Sequence, residues 1–141
     1  MDRILLVANQ TLGGAEVTAW LRERIAKEEC ELHILVPSSV DPQGWVHDDD
    51  SDHELAEQRL DDALVRFGAL GIPVTGEVGD SQPVAAILDV LRSREVDEIV
   101  LSTLPVGVSR WLRLDLVHRV DRAVDVPVTH LVAETSPTSA R

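Results

Sequence analysis

The chain has 141 residues, the size of one domain, and its 44% hydrophobic and 3% aromatic content suits a core of Val, Leu, Ile and Ala. Its 13 basic against 25 acidic residues give a net charge of −12, which repels nucleic acid and anionic membrane at long range and weighs against both as partners. The lone Cys30 cannot close an internal disulfide, and no apolar run approaches the about 20 residues that span a bilayer. With Met1-Asp2-Arg3 leading straight into a short apolar strand rather than a signal peptide, a soluble, cytoplasmic protein is expected.

Arg3 to Ala8 is continuously apolar after its first residue, the pattern of a strand covered on both faces in a parallel sheet. A loop, Asn9-Gln10-Thr11-Leu12-Gly13-Gly14, leads into an amphipathic helix over Ala15 to Lys27, with Val17, Trp20, Leu21 and Ile25 at helical spacing. Glu31 to Val36 is a second strand, stopped by Pro37-Ser38-Ser39. Residues 40–52 lack a helical period and carry five aspartates, so an acidic, flexible loop is expected there.

Helix resumes near His53 and runs to about Leu70, where Gly71 ends it and Pro73 discourages continuation. Val74 to Val78 is a third strand. Asp80 or Ser81 is suited to cap the next helix, and Pro83 fits its first turn, where the missing N–H has no partner to lose. That helix, Val84 to Arg94, is expected to bury Ala85, Ile87, Leu88 and Leu91. A fourth strand contains Ile99 to Leu101, a fourth helix lies within Trp111 to Val124, and Val126 to Ala133 is a fifth strand. Residues 134–141 read as a disordered tail. Alternating strands and helices specify a single doubly wound α/β domain over residues 1–133, with a five-stranded parallel sheet in the order 3-2-1-4-5.

The functional signal is concentrated between Asp97 and Val124, where a buried strand opens into a loop of small and hydroxyl residues and then a helix entered with Arg110 and Arg113. Open α/β sheets hold anionic ligands in such a crevice. Ser102, Thr103 and Ser109 offer hydroxyls, Gly107 an unobstructed backbone, and the two arginines forked donors for phosphate. The competing reading pairs Arg110 and Arg113 with surface carboxylates while Asp115 caps the following helix.

The opening strand Ile4 to Ala8, the turn and helix Gly79 to Ile87, the strand Asp97 to Leu101 and the ending Val126 to Val132 together resemble the universal stress proteins over roughly residues 3 to 133. The resemblance implies an adenine-nucleotide alpha-hydrolase-like fold, a crevice at strands 1 and 4 that often binds ATP, and a homodimer formed through the last strand. It also implies an acidic residue after strand 1 and, after strand 4, Gly, two residues, Gly, nine residues, then Gly with Ser or Thr. This sequence has Asn9 at the first position, Ser102 and Pro105 near the first two glycines, and Leu114-Asp115 or Asp115-Leu116 at the last pair. Those glycines admit backbone amides close to phosphates, which a carboxylate from Asp115 opposes, so the departure weighs against the usual phosphate geometry. The site expected for a nucleotide or small anion comprises Asn9, Val36, Ser102, Thr103, Gly107, Ser109, Arg110 and Arg113, with ATP or another adenine nucleotide as its cofactor.

Other chemistries are weaker. The loop at residues 9–14 could serve as a phosphate loop of flavodoxin type, yet it has neither a Walker ending nor spaced dinucleotide glycines, and a plain strand-to-helix turn fits it better. His47 to His53 offers metal ligands without a calcium-loop or zinc spacing, so a solvated acidic run is expected and no metal. A phosphorelay receiver lacks its acidic pair, since Ala8-Asn9 stands there. No nucleophile has an identifiable base: His33 and His130 lie in strand patterns, and His118 on the fourth helix can equally face solvent. A non-catalytic sensing module is therefore expected, with a structural or partner-binding homodimer or a weak nucleotide hydrolase as the alternatives.

Overall fold

Unbroken apolar runs form the middle of one all-parallel sheet in the computed structural model, which describes residues 2–9, 11–38, 49–80, 82–104 and 115–132, with residues 49–52 as backbone alone. The strands are β1 (Asp2–Val7), β2 (Cys30–Pro37), β3 (Val74–Gly79), β4 (Glu98–Thr103) and β5 (Val128–Val132), and they lie in the order β3-β2-β1-β4-β5. β1 is the central strand: Leu6 pairs in register with Ile34 on one side and Val100 on the other. The expected topology is the observed one.

Side chains alternate between the two faces of each strand, and each face has its own helices. Ile4, Leu6, Leu32, Ile34, Val36 and Val100 pack beneath α1 (Ala15–Lys27) and α2 (Asp49–Gly68), which bring Val17, Leu21, Leu60 and Phe67. Leu5, Val7, Leu35, Ile99 and Leu101 pack beneath α3 (Pro83–Ser93) and the helix Leu116–Ala123, here α4. Cys30 is buried in the first of these cores, and burial pushes its thiol above the ordinary value, away from reactive thiolate.

Several local expectations are corrected. α2 begins at Asp49, four residues before His53, because an acidic run suits a helix's first turn, where the macrodipole favours negative charge. It ends at Gly68, followed by tight turns from Leu70 N–H to Phe67 O and from Gly71 N–H to Gly68 O, with Gly71 at φ +91°. With Ser81 outside the described residues, α3 starts with Pro83 in its first turn as expected, but Asp80 does not cap it. The residue before it is Gln82, whose N–H donates to the Asp80 carboxylate at 2.8 Å in a local turn. Its buried face is Ala86, Ile87 and Val90; Ala85 is exposed, and Leu88 and Leu91 are half-buried. That rotation lets the helix lie against Gly79, where a Cβ would stand 3.0 Å from the Ala86 Cβ. The acidic segment 40–48 and the tail 134–141 lie outside the described residues.

On the α3 face His33 is held between its neighbours on β3, with Nδ1 2.7 Å from the Thr75 hydroxyl and Nε2 2.6 Å from the Glu77 carboxylate. A neutral ring satisfies both, accepting from Thr75 and donating to Glu77. Burial holds the His33 pKa below its ordinary value, outweighing the opposing pull of Glu77, and burial also lowers His130. The unfolded chain therefore binds more protons than the folded one just below pH 6.5, so stability present above that pH is lost as pH falls through it. The melting temperature is expected to fall between pH 7 and pH 5.5, at no more than about 1.4 kcal/mol per pH unit for each histidine. Scanning calorimetry of a His33→Gln, His130→Gln variant should give a flatter pH profile than the parent.

Candidate functional site

Helices α1 and α2 cover one face of the sheet and α3 and α4 the other, so the chain leaves the C-terminal ends of β1 and β4 in opposite directions. A crevice opens where neighbouring strands diverge in this way. Five polar residues are buried among those described, and four of them, Asn9, Thr11, Ser102 and Thr103, stand at these two strand ends.

Asn9 is 5% exposed and engaged at both ends of its amide. Its Nδ2 donates to the Pro37 carbonyl at the end of β2, at 2.7 Å, and its Oδ1 accepts from the Arg59 guanidinium of α2. Thr11, two residues on, donates to the Ser102 carbonyl at 3.2 Å, and its oxygen lies 2.6 Å from the Ser102 hydroxyl. The loop after β1 is thereby tied to β2, to α2 and to β4. Its shape is completed by backbone bonds from Leu12 N–H to Asn9 O and from Gly14 N–H to Thr11 O.

Ser102 and Thr103 are adjacent and so point to opposite faces. Ser102 joins Thr11 on the side of α1 and α2, while the Thr103 hydroxyl meets His130 Nε2 of β5 at 2.8 Å on the other side. Val36 is fully buried in the α1 and α2 core, its backbone in register with Val78 of β3. Gly107, Ser109, Arg110 and Arg113 lie outside the described residues, as do His47 and Asp48 of the acidic run, while residues 49–52 are described as helix backbone alone. Asp115 does not cap α4 with its side chain. It precedes the helix at φ 59°, a left-handed conformation that Asp tolerates, and its exposed carboxylate is 2.8 Å from His118 Nδ1. His118 is accordingly at the surface, its side chain 75% exposed.

Two contributors escaped the sequence reading. Thr11 was passed over as a turn residue, although a hydroxyl between a strand and a helix invites such bonds. Arg59 left a clearer trace. The buried stripe of α2 is Ala56, Leu60, Ala63 and Phe67, and Arg59 and Arg66 fall on the same face, at spacings of three and four residues. Arg66 reaches the same loop, donating to the Leu12 carbonyl at 3.0 Å, with its guanidinium 5.2 Å from the centre of the Phe67 ring.

An open, doubly wound α/β domain with polar groups gathered at the divergence of its central strands is the class that fold and site define. Comparison with known proteins gives the family: the model of the Universal stress protein family matches residues 1–131, and the chain belongs to that family. Among solved structures it is similar to a protein of the universal stress protein family from Burkholderia pseudomallei, with 18% identity, a TM-score of 0.61 and coverage of 92% of this chain and 95% of that one. It is also similar to a universal stress protein from Archaeoglobus fulgidus, with 15% identity, a TM-score of 0.57 and coverage of 92% and 93%. No curated protein matches the chain by sequence. Among the described residues no helix is long and apolar enough to cross a membrane.

Proposed function

We propose that this universal stress protein is a cytoplasmic sensing module that binds an adenine nucleotide or another small phosphorylated ligand in the crevice between β1 and β4 and catalyses no reaction on it. The observation that carries this reading is the gathering of four buried polar residues, Asn9, Thr11, Ser102 and Thr103, at the one edge where the crossovers part. Apart from His33, the buried residues described elsewhere are apolar, so polarity concentrated there calls for a purpose beyond packing. The hydroxyls are bonded to one another and to His130, which suits recognition and supplies no activated nucleophile. Arg110 and Arg113 are assigned to the phosphate side of the same crevice.

Thermal unfolding against ATP, AMP and cyclic nucleotides tests this, because a ligand at 100 times its dissociation constant stabilises by about 2.7 kcal/mol. An Arg110→Ala, Arg113→Ala variant is expected to lose most of that increment, and unchanged binding would remove those residues from the site. Phosphate release on incubation with ATP would instead favour a weak hydrolase. Pairing of β5 with its own copy is proposed for the homodimer: β5 is an edge strand, and all its side chains are at least partly exposed. Sedimentation giving only monomer at micromolar concentration would refute that pairing.

A further inference from the structure

Among the described arginines Arg59 is set apart by its surroundings. Arg3, Arg24 and Arg92 each face a carboxylate, and Arg22, Arg94, Arg119 and Arg122 are exposed. Arg59 is half-buried, and among the described residues its hydrogen-bond partner is the neutral amide of Asn9, with no carboxylate in reach. Burial lowers its pKa, as expected for a cation withdrawn from water without a counter-charge. A guanidinium has five N–H donors in a planar fork, and among the described residues Asn9 engages one of them.

We propose that Arg59 is a further anion contact of the crevice, in addition to Arg110 and Arg113, holding one compact phosphate group against the loop after β1, and that the ligand is a phosphomonoester in preference to a polyphosphate. This rests on the ligand-binding reading above and adds to it a contact from α2. Arg66, two turns further along α2, clamps the far end of the same loop through Leu12, so the cradle is fixed before a ligand arrives. Asn9 matters by being neutral: it orients the fork without cancelling its charge. A chain of net charge −12 repels each additional phosphate, so a ligand with one phosphate gains the contact with Arg59 against the least long-range opposition.

The test is titration calorimetry of the full chain with AMP, ATP, adenosine and inorganic phosphate, repeated on Arg59→Gln and Arg59→Lys. AMP is expected to bind more tightly than ATP, and adenosine more weakly than AMP. Arg59→Gln should weaken AMP about 10- to 100-fold, and Arg59→Lys, which keeps the charge and loses the fork, should fall between. Each variant's unliganded melting curve establishes that it is folded, and Arg59→Lys keeps the comparison decisive if Arg59→Gln is not. AMP affinity within twofold of the parent in the folded variants overturns the role of Arg59 while leaving the crevice reading intact. Tighter binding of ATP than AMP overturns the monoester preference. Failure of the parent to bind AMP, ATP or phosphate overturns both readings.

Discussion

Replacing Phe67 with alanine is expected to destabilise the domain by about 3–5 kcal/mol, the largest effect of any single truncation in the α2 core. Phe67 is fully buried, the largest such side chain among the described residues, and packs with Leu32, Ile34, Leu60 and Ala63 between α2 and the β2 side of the sheet. Removing a ring there forfeits its transfer energy and leaves a hollow that rigid strands cannot fill. The change should also loosen Arg66, whose guanidinium stacks on that ring while holding Leu12. Thermal unfolding should show a loss of about 10–20 °C. A loss of a degree or two would mean that α2 collapses onto the sheet and that the helix is less firmly placed than its buried stripe indicates.

The second large effect is expected at the N-terminal ends of the central strands, where Arg24 of α1 joins β1 to β4. Its guanidinium lies 3.0 Å from Asp2 and 2.6 Å from Glu98, reaches Glu28 at 3.5 Å, and stands 5.3 Å from the centre of the Trp20 ring. Burial alone pulls the Arg24 pKa down, but the hydrogen bonds to Glu98 and Asp2 and their charges more than reverse it. Glu98 is only 13% exposed, so Arg24→Met keeps the packed stem and strands a carboxylate that retains the Thr129 hydroxyl as donor, at 2.5 Å. The expected loss is about 2–4 kcal/mol, below the full value for a buried pair because Asp2 and Glu28 reach solvent. Adding Glu98→Gln should restore at least about 1 kcal/mol, since the penalty lies in the orphaned charge rather than in the lost pair. A double-mutant cycle with no coupling would show that Arg24 acts by packing alone.

The architecture was legible because its signals are local and redundant. Ile4 to Ala8 and Ile99 to Leu101 are apolar without alternation, which only a strand covered on both faces requires, and Pro83 opens α3 where expected. The errors arose where one residue's rotation decides the outcome. On α3 the sequence offers apolar residues around much of the helix, and the contact with Gly79, set by another strand, selects Ala86 and Val90 over Ala85 and Leu91. At the crevice the residue types were readable and the partners were not. Thr11 meets Ser102 across 91 residues and Arg59 meets Asn9 across 50, so no window of sequence contains either pair. What a sequence can show is an oddity, such as a cation on an apolar stripe, and Arg59 was one.

The two-ended engagement of Asn9 has a consequence for how the domain responds to acidity. An amide gains and loses no proton across the range in which proteins stay folded, so the join between β1, β2 and α2 keeps one shape in acid and in neutral solution. A carboxylate there would open or tighten with every change of surroundings. A response of this protein to protons therefore has its source outside that join, in groups that titrate, such as the His33 and His130 imidazoles.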